Sequence, residues 1–221
     1  MRTLSVDNLI FGCVDNALDI FLVKHGEGLS LGKWGLPGDW MRDDESLEDA
    51  AARTLEQRTG ISNVFLEQLH TFSEVNRYPD ERVITTAFYS LIRPESYHSV
   101  AGASELDAKW FNVNDLPELI FDHRKIIDLG IQRIKHKVRH EPIGFNLLPE
   151  KFTLLHLQSL YEAILGIKLD KPNFRRKMLK MNLLIDCEEK QTAVAHRAAN
   201  LYRFDPLVYK QLQKNGFVFE L

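Results

Sequence analysis

The sequence predicts an α+β protein in two parts, an α/β/α sandwich over residues 1–142 and a smaller domain over residues 153–221. Three observations predict it. Strand-like and helix-like stretches alternate in the first part, the order of a layered α/β or α+β sandwich. Charge then divides near Pro142: residues 1–145 carry 16 Lys and Arg against 23 Asp and Glu, whereas residues 146–221 carry 12 against 8. An acidic part is thus joined to a basic one, as expected where one end meets a polyanion. Finally, two helix signals and two short β runs follow one another after Thr153. The 221 residues are 44% hydrophobic and 27% charged, which excludes a disordered chain. No apolar run approaches the roughly 18 residues of a membrane span, and the first residues lack a secretion signal, so a cytoplasmic protein without membrane contact is expected. Cys13 and Cys187 lie too far apart in sequence for a CxxC metal knuckle or a disulfide framework.

Strands are predicted at Ser5–Val14 and Leu18–Lys24, with Asp15-Asn16 as the turn between them, and a short third strand around Trp34–Leu36. From Ser46 to Thr59 the period becomes helical. Leu47, Ala50, Ala51 and Leu55 share one face, Ser46 is the N-cap and Gly60 the stop. Strands follow at Val64–Phe72, Val83–Leu91 and Lys109–Val113; Asp115 caps a helical turn, and a longer helix fits Lys125–Val138. Residues 143–152 form a connector too apolar to hang free, expected to pack on one or both domains and to couple them. Thr153 caps the next helix, whose Leu154, Leu157, Tyr161 and Ile164 make a core stripe ending at Gly166. Asp170 and Pro172 open another, and β runs at Leu183–Cys187 and Asn200–Phe204 close the pattern. Two helices, a tight turn and a hairpin are the order of a winged helix-turn-helix.

The helix from Pro172 to Met181 carries the second part's chemistry. Phe174, Met178 and Met181 fall on one face; Asn173, Arg176, Lys177 and Lys180 fall on the other, with Arg175 at the margin. Such a helix anchors itself by its apolar face and offers cationic and amide groups to the major groove and its phosphates. Thr153 at a helix start, and His196 and Arg197 in the hairpin loop, complete the DNA-binding candidates. A solvated basic surface helix would carry the same residues, so the surrounding helix and hairpin decide the reading.

In the first part, Leu36-Pro37-Gly38-Asp39 and the run from Glu45 to Ile61 resemble the Nudix box. Counted from Arg53, the signature Glu falls on Glu45, and Leu55, Gly60 and Ile61 match. Gly38 lies one residue before the signature glycine's place, which Asp39 holds. The glutamate after the arginine is Thr54, and the paired glutamates are Gln57 and Arg58. The resemblance implies a Nudix-like fold over about residues 1–140. It also implies that the divalent-cation ligands of Nudix hydrolysis are gone, because amide and guanidinium groups do not hold a hard cation. No catalytic residue, resident metal or cofactor is therefore expected. A cleft that binds without cutting remains, with Trp34, Trp40, Asp39, Arg77 and Arg82 as effector candidates: aromatic faces for sugars or bases, Arg and Asp for phosphates and hydroxyls. Core packing is the competing reading for both tryptophans.

The two parts together resemble the Nudix-related bacterial transcription regulators, through Trp110–Pro117, Ile120–His123, Glu141–Pro149, Phe152–Glu162 and Asn173–Arg175. The resemblance implies a homodimer on a palindromic double-stranded DNA operator, released or rearranged by a small-molecule effector. One branch senses ADP-ribose in NAD metabolism and another senses L-arabinose in sugar utilisation. The lost carboxylates, the acidic sensor and the Gly144–Pro149 stretch favour a pentose over ADP-ribose. The alternative class is a divergent Nudix hydrolase with a basic nucleic-acid-binding tail, which would require replacement carboxylates near Gln57 and Arg58.

Overall fold

The computed structural model describes residues 3–97, 99–192 and 198–221. They divide into two compact units. The first holds the described residues through Val14 together with Leu18–Arg133; the second holds Asp15–Ala17 and Ile134–Leu221.

In the first unit, β1 (Leu4–Val14) is buried on both faces along most of its length, which fits its place inside a sheet. Asp15 and Asn16 both take positive φ, the conformation of a tight hairpin turn, and lead into β2 (Ala17–His25). Parallel pairing joins β1 to β6 (Ile84–Ile92), and β5 (Glu67–Phe72) runs antiparallel beyond it. On the far side β2 pairs with β7 (Glu105–Asn112).

The hairpin of β1 and β2 does not stay closed. Val23 and Lys24 pair with β3 (Trp34–Gly35) as well as with β7. Ser5, Val6 and Asp7 pair with β4 (Gly38–Trp40) as well as with β6. Both edges of each strand are occupied there, so β1 and β2 part and the segment 34–40 lies between them. The predicted third strand ends at Leu36; Gly38 and Asp39 beyond it are strand as well, with Gly38 opposite Asp7.

Helix α1 (Leu47–Thr59) follows prediction closely. The Ser46 hydroxyl accepts from Asp49 N–H, and Gly60 ends the helix at φ 69°. Ala50 and Ala51 pack against Val6 and Phe88, whereas Leu55 joins Ile10, Phe21 and Val23. The expected helical turn at Asp115 is absent. Its N–H bonds Asn112 C=O in a simple turn. Leu116 precedes Pro117, which disfavours α geometry at that residue. The next helix, α2 (His123–His140), starts later instead.

The second unit contains α3 (Leu154–Leu165), α4 (Lys171–Lys180), the hairpin β8 (Leu184–Lys190) and β9 (Asn200–Phe204), and α5 (Pro206–Lys214). Thr153 and Asp170 cap α3 and α4 through their side chains, and Gly166 stops α3 at φ 70°. Sequence reasoning missed α5, although Asp205 before Pro206 is a cap signal of the same kind as Asp170 before Lys171-Pro172. The expected connector is structured. Pro142–Leu147 forms a 3-10 helix, Phe145 stacks on Phe204 with ring centroids 4.4 Å apart, and Phe152 pairs by backbone with Tyr202. Phe145 is thus a core residue of the second unit.

Phe145→Ala removes that buried ring and is expected to cost about 3–5 kcal/mol, the usual range for a core aromatic. Hydrogen exchange followed by mass spectrometry should show lost protection in residues 144–221 and unchanged protection in β1, β2 and β6.

Candidate functional site

The parting of β1 and β2 opens a cavity of about 480 Å³ in the first unit. Its polar floor comes from different elements: Asp7 from β1, His25 from the end of β2 and His123 from the start of α2. Leu36 N–H donates to His123 Nδ1 at 2.9 Å, which fixes the ring and places the proton of the neutral imidazole on Nε2. That nitrogen lies 3.7 Å from Asp7 Oδ2. Burial pushes the Asp7 carboxyl up to about 7, against the pull of Arg77. Burial likewise pushes His123 and His25 down to about 4.

Arg58 enters the cavity from α1, at one of the two places where the Nudix signature has paired glutamates. Its guanidinium donates to Glu105 Oε1 and to Ser104 Oγ, both at 2.6 Å, and lies 3.5 Å from Asp39 and Glu27. The Glu105 side chain is fully buried, and burial raises its pKa while Arg58 lowers it. Gln57 accepts from Arg53. Arg53 in turn clasps Glu45 through Nε and Nη2 at 2.8 and 2.6 Å, holding that carboxyl down at about 2. The divalent cation of Nudix hydrolysis does not fit these residues. A guanidinium stands in its place, Glu45 is committed to Arg53, and the described residues hold no group of three or more His, Cys, Asp or Glu able to bind a metal.

A second polar anchor is Arg77, almost wholly buried, which grips Asp122 in bidentate fashion at 2.8 and 3.0 Å and bonds Thr85. Beside it an aromatic wall forms. Tyr78 meets Trp40 edge-on at 6.0 Å and Phe121 at 4.7 Å.

Of the five effector candidates, Asp39, Trp40 and Arg77 line this cavity and Trp34 and Arg82 do not. Trp34 packs edge-on against Phe111 at 4.8 Å with Lys109 over its ring, and Arg82 is exposed on the surface. Sequence reasoning nominated the Arg77–Arg82 segment, which includes Tyr78, but none of Asp7, His25, Phe121 and His123. The one available signal for Asp7 was an acid inside a strand that is otherwise mostly apolar.

In the second unit, Asn173, Arg175, Arg176, Lys177 and Lys180 are all exposed on α4, while Phe174 and Met178 are buried beneath them. Arg176 donates to Asn173 at 2.6 Å, which orders both on one face. A groove of about 610 Å³ runs beside this helix and includes Thr153, His156, Lys171, Arg175 and Lys190. Thr153 itself is 2% exposed, and its hydroxyl accepts from His156 N–H as the cap of α3. Its structural role is therefore orienting that helix start. His196 and Arg197 lie outside the described residues.

Comparison with known proteins agrees with this division. The family model described as NUDIX domain matches residues 1–130, and that described as NrtR DNA-binding winged helix domain matches residues 144–204. The ADPR responsive transcriptional repressor NtrR of Acinetobacter baylyi is 31% identical over 91% of this chain and 81% of its own. The crystal structure of Shewanella oneidensis NrtR complexed with a 27mer DNA superposes with a TM-score of 0.78 at 31% identity, covering 98% of this chain and 97% of that one. The NUDIX domain of the same Shewanella protein, complexed with ADP ribose, matches with a TM-score of 0.54 at 32% identity, over 60% of this chain and 88% of that one. Fold and matched domains define a ligand-responsive DNA-binding regulator with a Nudix sensor. The chain belongs to the NrtR family of such regulators.

Restoring a signature carboxylate at position 58 is not neutral in this setting. Arg58→Glu leaves buried Glu105 without its partner and adds a like charge beside it. We expect a loss of about 3–5 kcal/mol, the usual range for breaking a buried pair, read as a lower denaturation midpoint.

Asp7 gives a prediction of opposite sign. Between pH 3.8 and about 7 the folded chain holds a proton that the unfolded chain has released, so wild-type stability drops as pH rises through that window. Asp7→Asn removes this drop. Its melting temperature is expected to match wild type near pH 4 and to exceed it at pH 8, by on the order of 2 kcal/mol in stability. Melting curves of both proteins across that range check it.

Proposed function

We propose that this chain is an ADP-ribose-responsive DNA-binding transcriptional regulator whose sensor binds its effector without hydrolysing it. The observation that carries the reading is the cavity between β1 and β2. It keeps buried arginines and an aromatic wall, groups suited to a diphosphate and a base, while Arg58 and Gln57 stand where hydrolysis needs carboxylates. The relatives support the same effector, since the Acinetobacter repressor is named as ADPR responsive and the Shewanella sensor binds ADP ribose.

A pentose, favoured on sequence grounds, loses its arguments on inspection. The Gly144–Pro149 stretch serves the packing of the second unit through Phe145, so it carries no information about the effector. The net acidity of the first part does not describe the cavity alone, whose lining includes Arg58 and Arg77. Carbohydrate utilisation accordingly gives way to NAD metabolism as the regulated process.

On the DNA side, α4 reads the major groove through Asn173, Arg175 and Arg176, and Lys177 and Lys180 hold phosphates. We place the chain in the cytoplasm as a homodimer on a palindromic operator, with ADP-ribose shifting it between DNA-bound and free populations. Among the described residues no helix is long and apolar enough to cross a membrane.

Fluorescence anisotropy of the intact protein on its own upstream DNA tests this. ADP-ribose is expected to shift the apparent affinity at least tenfold, about 1.4 kcal/mol of coupling, whereas arabinose and other pentoses shift nothing. Binding no tighter than to scrambled DNA would sink the regulator reading. In the same assay, Lys177→Ala with Lys180→Ala should weaken binding to every sequence alike and flatten the dependence of log affinity on log salt by about 1–2.

A further inference from the structure

Asp7 is a buried carboxyl without a hydrogen-bond donor. It is 6% exposed, lines the cavity, and has no partner within hydrogen-bond distance among the described residues. Its nearest polar neighbour is His123 Nε2 at 3.7 Å, too far for a bond. That nitrogen is a fixed donor, because Leu36 N–H occupies the other side of the ring. The chain packs closely against one oxygen of the carboxyl. A Cβ at Gly38 would fall 2.0 Å from Asp7 Oδ1, so any other residue at position 38 would crowd the group. Lining the cavity with no donor from the chain, the carboxyl is placed to take its hydrogen bonds from a ligand there.

We propose that Asp7 and His123 are the ribose-reading pair of the sensor: the Asp7 carboxyl accepts, and His123 Nε2–H donates, hydrogen bonds with vicinal hydroxyls of the effector. This assignment rests on the ADP-ribose reading above. An acceptor and a donor side by side call for a ligand group that both gives and takes, and a hydroxyl pair does so. At pH 8, where the carboxyl is ionised and at which the titrations below are run, phosphate oxygens have no proton to give it. An ammonium group would meet the guanidinium of Arg77, which is close enough to act on the Asp7 charge. A purine edge also carries a donor and an acceptor, but the cavity already offers bases the flat faces of Trp40, Tyr78 and Phe121. Two hydroxyls bonding one carboxylate is a familiar way for proteins to hold a ribose.

Isothermal titration of the full chain with four probes decides the matter: ADP-ribose, ADP, 2′-deoxy-ADP-ribose and the inosine counterpart of ADP-ribose. Asp7→Asn, nearly isosteric and checked by its melting curve, is expected to weaken ADP-ribose at least tenfold. For the probe that lacks the hydroxyls being read, ADP if they are on the terminal ribose or the deoxy compound if they are on the adenosine, the loss should shrink to under threefold. Equal losses for all four probes, or no loss, would overturn the assignment. So would a loss that disappears only with the inosine probe, which would give the pair to the base. Were Asp7→Asn not to fold, wild type alone would decide, since the proposal requires ADP or the deoxy compound to bind at least tenfold more weakly than ADP-ribose. Failure of wild type to bind ADP-ribose would remove the effector reading itself, and this assignment with it; binding with unchanged probe ratios would remove the assignment alone.

Discussion

At Ser5–Asp7 and at Val23–Lys24 each central strand has two neighbours already, so β1 and β2 cannot pair with each other, and everything chemical in the first unit follows from that parting. The segment 34–40 fills the gap by pairing once with each strand. Its middle, Leu36, is wholly buried and sends its N–H to His123, which ties the start of α2 to the floor of the cavity. Asp7 and His25 come from the two separated strands. A hairpin closed to its end would bury no cavity and bring no such groups together.

Charge compensation around Arg58 is the second condition. In a Nudix hydrolase carboxylates at this end of the helix face a dication; here a monovalent guanidinium with fixed geometry meets Glu105 and comes within 3.5 Å of Asp39 and Glu27. The exchange replaces a dissociable ion by a tethered one. It forgoes Lewis-acid activation of water, and it gains an ion pair that is always loaded, independent of metal supply. The partly buried Arg53–Glu45 pair survives the exchange because it shapes the loop before α1 rather than the chemistry.

Sequence alone carried the fold far, since its signals are local. Caps at Ser46, Thr153 and Asp170 and stops at Gly60 and Gly166 depend on residues a few positions apart, and all five act as expected. What escaped was non-local. Gly38 reads as a turn residue until β1 is placed beside it, and Leu116 and Pro117 override the cap signal at Asp115. The same holds for the cavity. Arg77 and Trp40 could be nominated by residue type, but Asp7 and His123 stand 116 positions apart in the sequence, and only the parted strands and α2 make them neighbours. Trp34 shows the converse: type and turn context suited a pocket, yet the ring had Phe111 and Lys109 to cover it.

The proposed loss of catalysis and the retention of the cavity are physically consistent with one another. An enzyme gains rate only from interactions stronger in the transition state than with bound substrate; equal binding of both is wasted on it. A regulator has the opposite requirement, because its ligand shifts a population only by the free energy with which it is held in one state over the other. Ground-state affinity is then the useful quantity, and a group such as Asp7, left open in the free protein and completed by the ligand, supplies it directly. Removing the metal carboxylates gives up transition-state stabilisation while leaving Arg77, the aromatic wall and the Asp7–His123 floor in place. On the proposed function, positions 57 and 58 are therefore where turnover is exchanged for binding: Gln and Arg there leave a cavity that holds its ligand without the carboxylates hydrolysis needs.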